Sequence, residues 1–318
     1  MITKINKILN IFKNFIQEKK IKNLLLGFFV SIIILYLIYF VKNNYLELIE
    51  IIENIEISYI YCSIVVYISL LFLASLLWSS IVREIGIELY WRKNINIYFL
   101  TLAARRLPGS IVHVIGRVGL YKHYGYSGKR IALASFVEYL MIIGSGVILT
   151  IFFSFFNLKI FSEIWVYLFI GIFLLFVLVN PKTVSYINKK INIEDVRSKI
   201  KFTKILSWMI GYSLIWLCGG FFLFLIILSV KPDGEISWIQ SIFPWLSSGV
   251  VGMIITFLPS GLGAVEITLS YILSSHITLS LAISIAFLSR IIQTVMDLVI
   301  STIMYLILKV INPKELLK

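Results

Sequence analysis

The chain has 318 residues, of which 59% are hydrophobic and 14% charged, and its mean hydropathy is +0.96. Soluble domains run at roughly 45–50% apolar and about 25% charged residues, so a soluble protein is excluded and a polytopic membrane protein is expected. The net charge of +13 would suit nucleic acid. The basic residues instead gather in loops on one side of the expected topology, the bias that orients membrane spans, and no nucleic-acid partner is expected.

Residues 1–23 hold Lys4, Lys7, Lys13, Lys19, Lys20 and Lys22 among Ile5, Ile8, Leu9, Phe12, Phe15 and Ile16. The helical spacing predicts a basic amphipathic helix on the cytoplasmic surface. It runs straight into an apolar segment with no small-residue cleavage site, so no cleaved signal peptide is expected. Residues 24–41 form the first span, near the lower end of the ~17–25 residues needed. The next loop carries Glu47, Glu50, Glu53 and Glu56 against Lys42 and reads as outside. Residues 58–82 return inward, and Arg83, Arg92 and Lys93 mark the cytoplasm.

The segment 95–116 breaks the pattern at RRLPGSIVHVIGR. It is basic on both flanks, with Arg117, Lys122, Lys129 and Arg130 after it. A segment with both ends in the cytoplasm does not cross, so it reads as a re-entrant hairpin turning at Pro108 and Gly109. Residues 131–156 go out and 164–180 come back. The loop 181–204 is strongly basic, and 205–230 go out again. A second break, LPSGLGAVE, falls at 258–266. Read as one span, 238–275 would leave Lys309, Lys314 and Lys318 outside, against the positive-inside rule. Read as a hairpin entering from outside at 259–263, it leaves the last helix, 279–308, running inward. The expected fold is therefore all-α: six spanning helices plus two re-entrant hairpins, with both termini cytoplasmic. Each half is span, span, hairpin, span, an inverted-topology repeat whose breaks point to a transport site.

Charges inside the membrane are costly and mark function by default. Arg117, Glu138, Glu266 and Arg290 fall at or near membrane depth. The repeat predicts that Glu138 and Arg290 approach each other near the pseudo-twofold axis and pair. Gln293 and Asp297 follow Arg290 on one helix face, and Arg105 and Arg106 stand where a lipid phosphate would be clamped. Against this stands the plainer reading that such pairs only hold irregular hairpins in place. His113 reads as a packing residue, and Cys62 and Cys218, inside apolar runs, read the same way. Scattered His and Cys give no metal site. With no nucleotide loop, metalloprotease helix or nucleophile elbow, neither a catalytic site nor a cofactor is expected.

These motifs match something known. RRLPGSIVHVIGRVGLYKHYGYSGKRIALASFVEYL, and FLPSGLGAVEITL followed by AFLSR, together resemble the two signatures of the lysylphosphatidylglycerol synthase transmembrane family, the flippase-like integral membrane proteins. The resemblance implies a flippase-like domain over 24–318, with halves at about 24–156 and 164–308, that moves an aminoacylated or glycosylated lipid between leaflets of the cytoplasmic membrane. By position it implies Pro108, Gly109, Arg117, Glu138, Pro259, Gly261, Gly263, Glu266 and Arg290 as site residues. Ser260 stands where the family usually has Gly, and Tyr139 where Arg is common. The synthase proper also carries a cytosolic aminoacyl-transferase domain; none is seen up to Lys318, so synthesis of an aminoacyl lipid by this chain alone is not expected. Membrane lipids are the expected partners, with a separate lipid-modifying enzyme and a second copy of the chain as further candidates. The rival reading is a membrane glycosyltransferase, or an accessory subunit, working on lipid-linked sugars in cell-envelope biosynthesis. A glycosyltransferase would want external acids, but the glutamates of 42–57 recur every three residues, which suits a solvated helix face.

Overall fold

The structure is a computed structural model that describes residues 42, 53–106, 112–155, 200–233, 236–255, 261 and 263–311. The chain divides into two compact units, Met1–Glu53 and Asn54–Lys318; every element below belongs to the second. The expected surface helix at 1–23 and the expected spans at 24–41 and 164–180 lie outside the described residues. In chain order the elements are α1 (Ile57–Glu84), α2 (Trp91–Leu100), a 3-10 turn (Ala103–Arg106), α3 (Val112–His123), α4 (Gly128–Ser154), α5 (Phe202–Val230), α6 (Trp238–Ile254), α7 (Ala264–Leu273) and α8 (Leu279–Ile311). Among the described residues there is no strand.

Length separates these helices into two kinds. Helices α1, α4, α5 and α8 are long and apolar enough to cross a membrane, and they fall within a few residues of the spans expected at 58–82, 131–156, 205–230 and 279–308. Helices α2, α3 and α7 have 10, 12 and 10 residues. At 1.5 Å per residue they reach only about 15–18 Å, too short for a ~30 Å hydrocarbon core. The first break differs from the expectation in one respect. Its second arm does not stop at 116 but runs to His123, which puts Arg117 in mid-helix and not on a basic flank. The region 238–275 forms two helices, α6 and α7, that pack on each other. A capping box starts α6: the Ser237 hydroxyl accepts from the Gln240 N–H at 3.4 Å, and the Gln240 side chain accepts from the Ser237 N–H at 2.8 Å.

Helix α5 is the centre of the arrangement, packed by α1, α4, α6 and α8. Its sequence allows this because glycines let neighbours approach closely. Trp216 of α5 is wedged between Gly146 of α4 and Gly249 of α6, where an added Cβ would come within 2.9 and 2.5 Å of its ring. Its indole N–H donates to the Ile142 carbonyl at 2.9 Å. Around it Ile143, Val147, Ile242, Leu246 and Val250 form a buried core. This block gives the short helices a rigid wall to lean on.

Candidate functional site

Helix α3 is held against α4 by a buried ion pair. Arg117 is fully buried, and its Nη1 lies 2.5 Å from Glu138 Oε2. The guanidinium sits over two aromatic rings, 4.1 Å from the Trp78 centroid and 4.5 Å from that of Tyr98. Nε reaches Thr101 Oγ1 at 3.4 Å. A cation that has left water needs this kind of compensation, from a counter-charge and from π faces. The cage is itself braced. Trp78 Nε1 donates to Tyr121 Oη at 3.0 Å, Tyr121 donates to Asn94 Oδ1 at 2.8 Å, and Asn94 Nδ2 reaches Ser79 Oγ at 3.2 Å. Arg117 Nη2, Glu138 Oε1 and the Tyr212 hydroxyl are buried with no hydrogen-bond partner among the described residues, so the site keeps both donor and acceptor capacity.

Helix α7 is tied to α8 by the same chemistry with the charges exchanged. Glu266 stands in the first turn of α7, where a carboxylate is favoured by the orphan N–H groups and the helix dipole. Its Oε2 accepts the Gly263 N–H at 2.7 Å, and its Oε1 lies 3.2 Å from Arg290 Nε. The break before α7 turns through Gly261 and Gly263, at φ +67 and +86. An added Cβ on Gly261 would lie 2.6 Å from the Gly252 Cα of α6, so glycine is required there both for its dihedral and for the approach of the two backbones. At the end of α6, the Tyr139 hydroxyl donates to the Met253 carbonyl. That gives a local role to the tyrosine standing where the resembling family has arginine.

A third pair joins the first break to the last helix. Asp297 of α8 is fully buried. It accepts from Arg106 Nε and from Tyr67 Oη, each at 2.8 Å, and Arg106 Nη2 lies 2.7 Å from the same carboxylate. One turn on, Ser301 accepts the Ala103 N–H at 3.0 Å and donates to the Phe99 carbonyl at 2.7 Å. Backbone groups released where α2 ends are thus satisfied by a side chain of α8. Arg105 donates to Tyr98 Oη and lies over its ring.

The pairing expected between Glu138 and Arg290 does not form. Glu138 is taken by Arg117 and Arg290 by Glu266, each within its own half. The ion pair that ties the first break to α8 is Arg106 with Asp297, two turns further along α8 than Arg290. The physical reason is reach. Helices α3 and α7 each lie beside the long helix that follows them, so the nearest counter-charge is local. The seven residues from Arg290 to Asp297 are about 10 Å of helix, and it is Asp297 that faces the first break. Arg105 and Arg106, expected as an open phosphate clamp, are both engaged with protein groups, although the Arg106 side chain stays 15% exposed.

These pairs lie in one polar zone. Tyr98 lies under both the Arg105 and the Arg117 guanidinium, and Arg290 and Asp297 stand on the same helix. Its depth follows from the helix bounds. Tyr67, Glu138 and Asp297 each stand at least ten residues from either end of α1, α4 and α8, about 15 Å of helix. Pro108, Gly109 and Pro259 lie outside the described residues. The residues not anticipated from sequence are Tyr67, Trp78, Tyr98 and Ser301. Tyr67 carried a usable signal: a tyrosine ten residues inside an apolar helix is out of place for the interfacial aromatic belt. Among the described residues no cluster of His, Cys, Asp and Glu could hold a metal ion.

A family model described as "Lysylphosphatidylglycerol synthase TM region" matches residues 24–301. None of the curated proteins compared with the chain matches it.

Proposed function

We propose a lipid-moving function for this chain, which belongs to the lysylphosphatidylglycerol synthase transmembrane-region family. It is a multi-pass integral membrane protein of a lipid-related family, and its function on this reading is to carry an aminoacylated, anionic or glycosylated lipid between the leaflets of the cytoplasmic membrane. The observation that carries the reading is the depth of the polar zone. A headgroup crossing ~30 Å of hydrocarbon meets a barrier that fixed charges and hydrogen-bonding groups at mid-depth would lower. Arg106, Arg117, Arg290, Glu138, Glu266 and Asp297 supply them. Arg105, Gly261 and Gly263 belong to the same proposed substrate path, as do Pro108, Gly109 and Pro259 on the sequence resemblance alone.

The same reading treats the breaks as re-entrant hairpins of an inverted repeat, with six spans and both termini in the cytoplasm. Cysteines introduced at Ser198 and Lys314 should both label from the cytoplasmic side; labelling of the second only from outside would remove the hairpin at 238–275. Transport and not group transfer is the work assigned to this chain, with a separate enzyme modifying the lipid. The functional test is leaflet exchange. Purified protein in phosphatidylcholine vesicles should speed the exposure of labelled phosphatidylglycerol or glycolipid from the inner leaflet to an impermeant quencher. Exchange no faster than in protein-free vesicles refutes the proposal.

A further inference from the structure

We infer that the open groove between α1 and α8 is the seat of an acyl chain of an anionic phospholipid whose phosphate lies at the Arg106 turn. This rests on the lipid-moving reading above and adds to it where the lipid sits and which headgroup charge it carries. The groove has a volume of about 440 Å³ and is lined by Ile68, Ser69 and Phe72 of α1, Phe99 of α2, and Ile300, Ile303 and Met304 of α8. Apolar surface facing lipid is ordinary on membrane helices. What sets this groove apart is its neighbour on each wall. Ile68 follows Tyr67, Phe99 follows Tyr98, and Ile300 lies one turn from Asp297. On all three elements, then, a lining residue adjoins a member of the knot that holds Arg105 and Arg106.

Charge decides the occupant. Arg106 uses Nε and Nη2 on Asp297 and Tyr67, while a guanidinium carries five N–H donors. Its Nη1 end is not engaged by any described residue, and the side chain is not sealed from outside. A phosphate oxygen is the acceptor such a fork prefers. A headgroup held at this depth must let its chains leave sideways into the bilayer, and a groove open to lipid beside the arginine turn provides that route. A zwitterionic or aminoacylated headgroup brings its own cation beside the phosphate, so it gains less from Arg106 than an anionic one.

The test is photolabelling of the full chain in nanodiscs of phosphatidylcholine containing a minor fraction of phosphatidylglycerol with a diazirine on one acyl chain. Label should concentrate on Phe72, Phe99 and Met304 over Val310, which lies on the same helix as Met304 and is 82% exposed. A phosphatidylcholine probe should show the preference roughly tenfold less, because its choline cation offsets the phosphate charge that faces Arg106. Ile300→Trp, which fills the groove without touching the polar knot, should abolish it. Even labelling of Met304 and Val310, or a preference that survives Ile300→Trp, overturns the inference. Equal labelling by both probes overturns its headgroup half. Groove labelling as expected, without leaflet exchange, leaves this site standing and removes the transport reading instead.

Discussion

The buried pair of Arg117 and Glu138 allows a quantitative prediction. Both side chains are essentially removed from solvent, at 0% and 6% exposure, and meet at 2.5 Å. Breaking a buried pair by removing one partner typically costs ~3–5 kcal/mol, because the survivor is left charged and unpaired. The two survivors are not equivalent here. After Glu138→Leu, Arg117 keeps the faces of Trp78 and Tyr98, and a desolvated cation–π contact returns up to about 2 kcal/mol. After Arg117→Met, Glu138 keeps no ion-pair partner among the described residues. Glu138→Leu should therefore cost about 3 kcal/mol and Arg117→Met about 5 kcal/mol, at the two ends of that range. The double replacement removes both charges and should lie within about 1 kcal/mol of the parent, since apolar substitutes for buried pairs are often neutral. Reversible unfolding in mixed micelles, followed by tryptophan fluorescence, gives the three values. The same cycle on Glu138 and Arg290 should be additive, because they belong to different pairs. Additivity for Arg117 with Glu138, or strong coupling of Glu138 with Arg290, would refute the assignment of pairs.

Glu266→Ala loses both the cap on Gly263 and the bond to Arg290, so it should cost about 3 kcal/mol. Arg290→Gln, at a 15% exposed side chain, should cost less in the same unfolding assay. Gly261→Ala places a Cβ at positive φ against the backbone of α6 and should lower stability by about 2 kcal/mol, whereas Gly119→Ala, where an added Cβ meets nothing within 4 Å, should be tolerated. Tyr67→Phe removes one hydrogen bond to Asp297 but leaves Arg106 in place; a loss of about 1–2 kcal/mol in thermal or chemical unfolding is expected.

The long helices were legible because hydrophobic length is a one-dimensional signal. Residues 58–82 and 205–230 read as spans, and α1 and α5 lie within three residues of those bounds. The charged residues were legible for the same reason: Glu138, Glu266 and Asp297 stand out in apolar runs. Their partners were not. Whether Arg290 meets Glu138 or Glu266 depends on which turn of one helix faces which neighbour, and spacing along the chain is silent on that. The aromatic walls of the Arg117 cage escaped for a different reason. Trp78 and Tyr98 sit among apolar neighbours and read as packing residues until a guanidinium lies across them. The end of α3 was misjudged because Arg117 was counted with the basic loop residues that follow it, although its side chain turns inward.

The claim that fixed charges at mid-depth carry a headgroup across is tested most directly by leaflet exchange in the folded variant that lacks one pair. Arg117→Met with Glu138→Leu should keep its unfolding midpoint near that of the parent yet lose most of the acceleration of labelled phosphatidylglycerol exchange in vesicles. Full exchange in that variant would contradict the account, leaving the pair as a brace for α3 with no part in moving lipid.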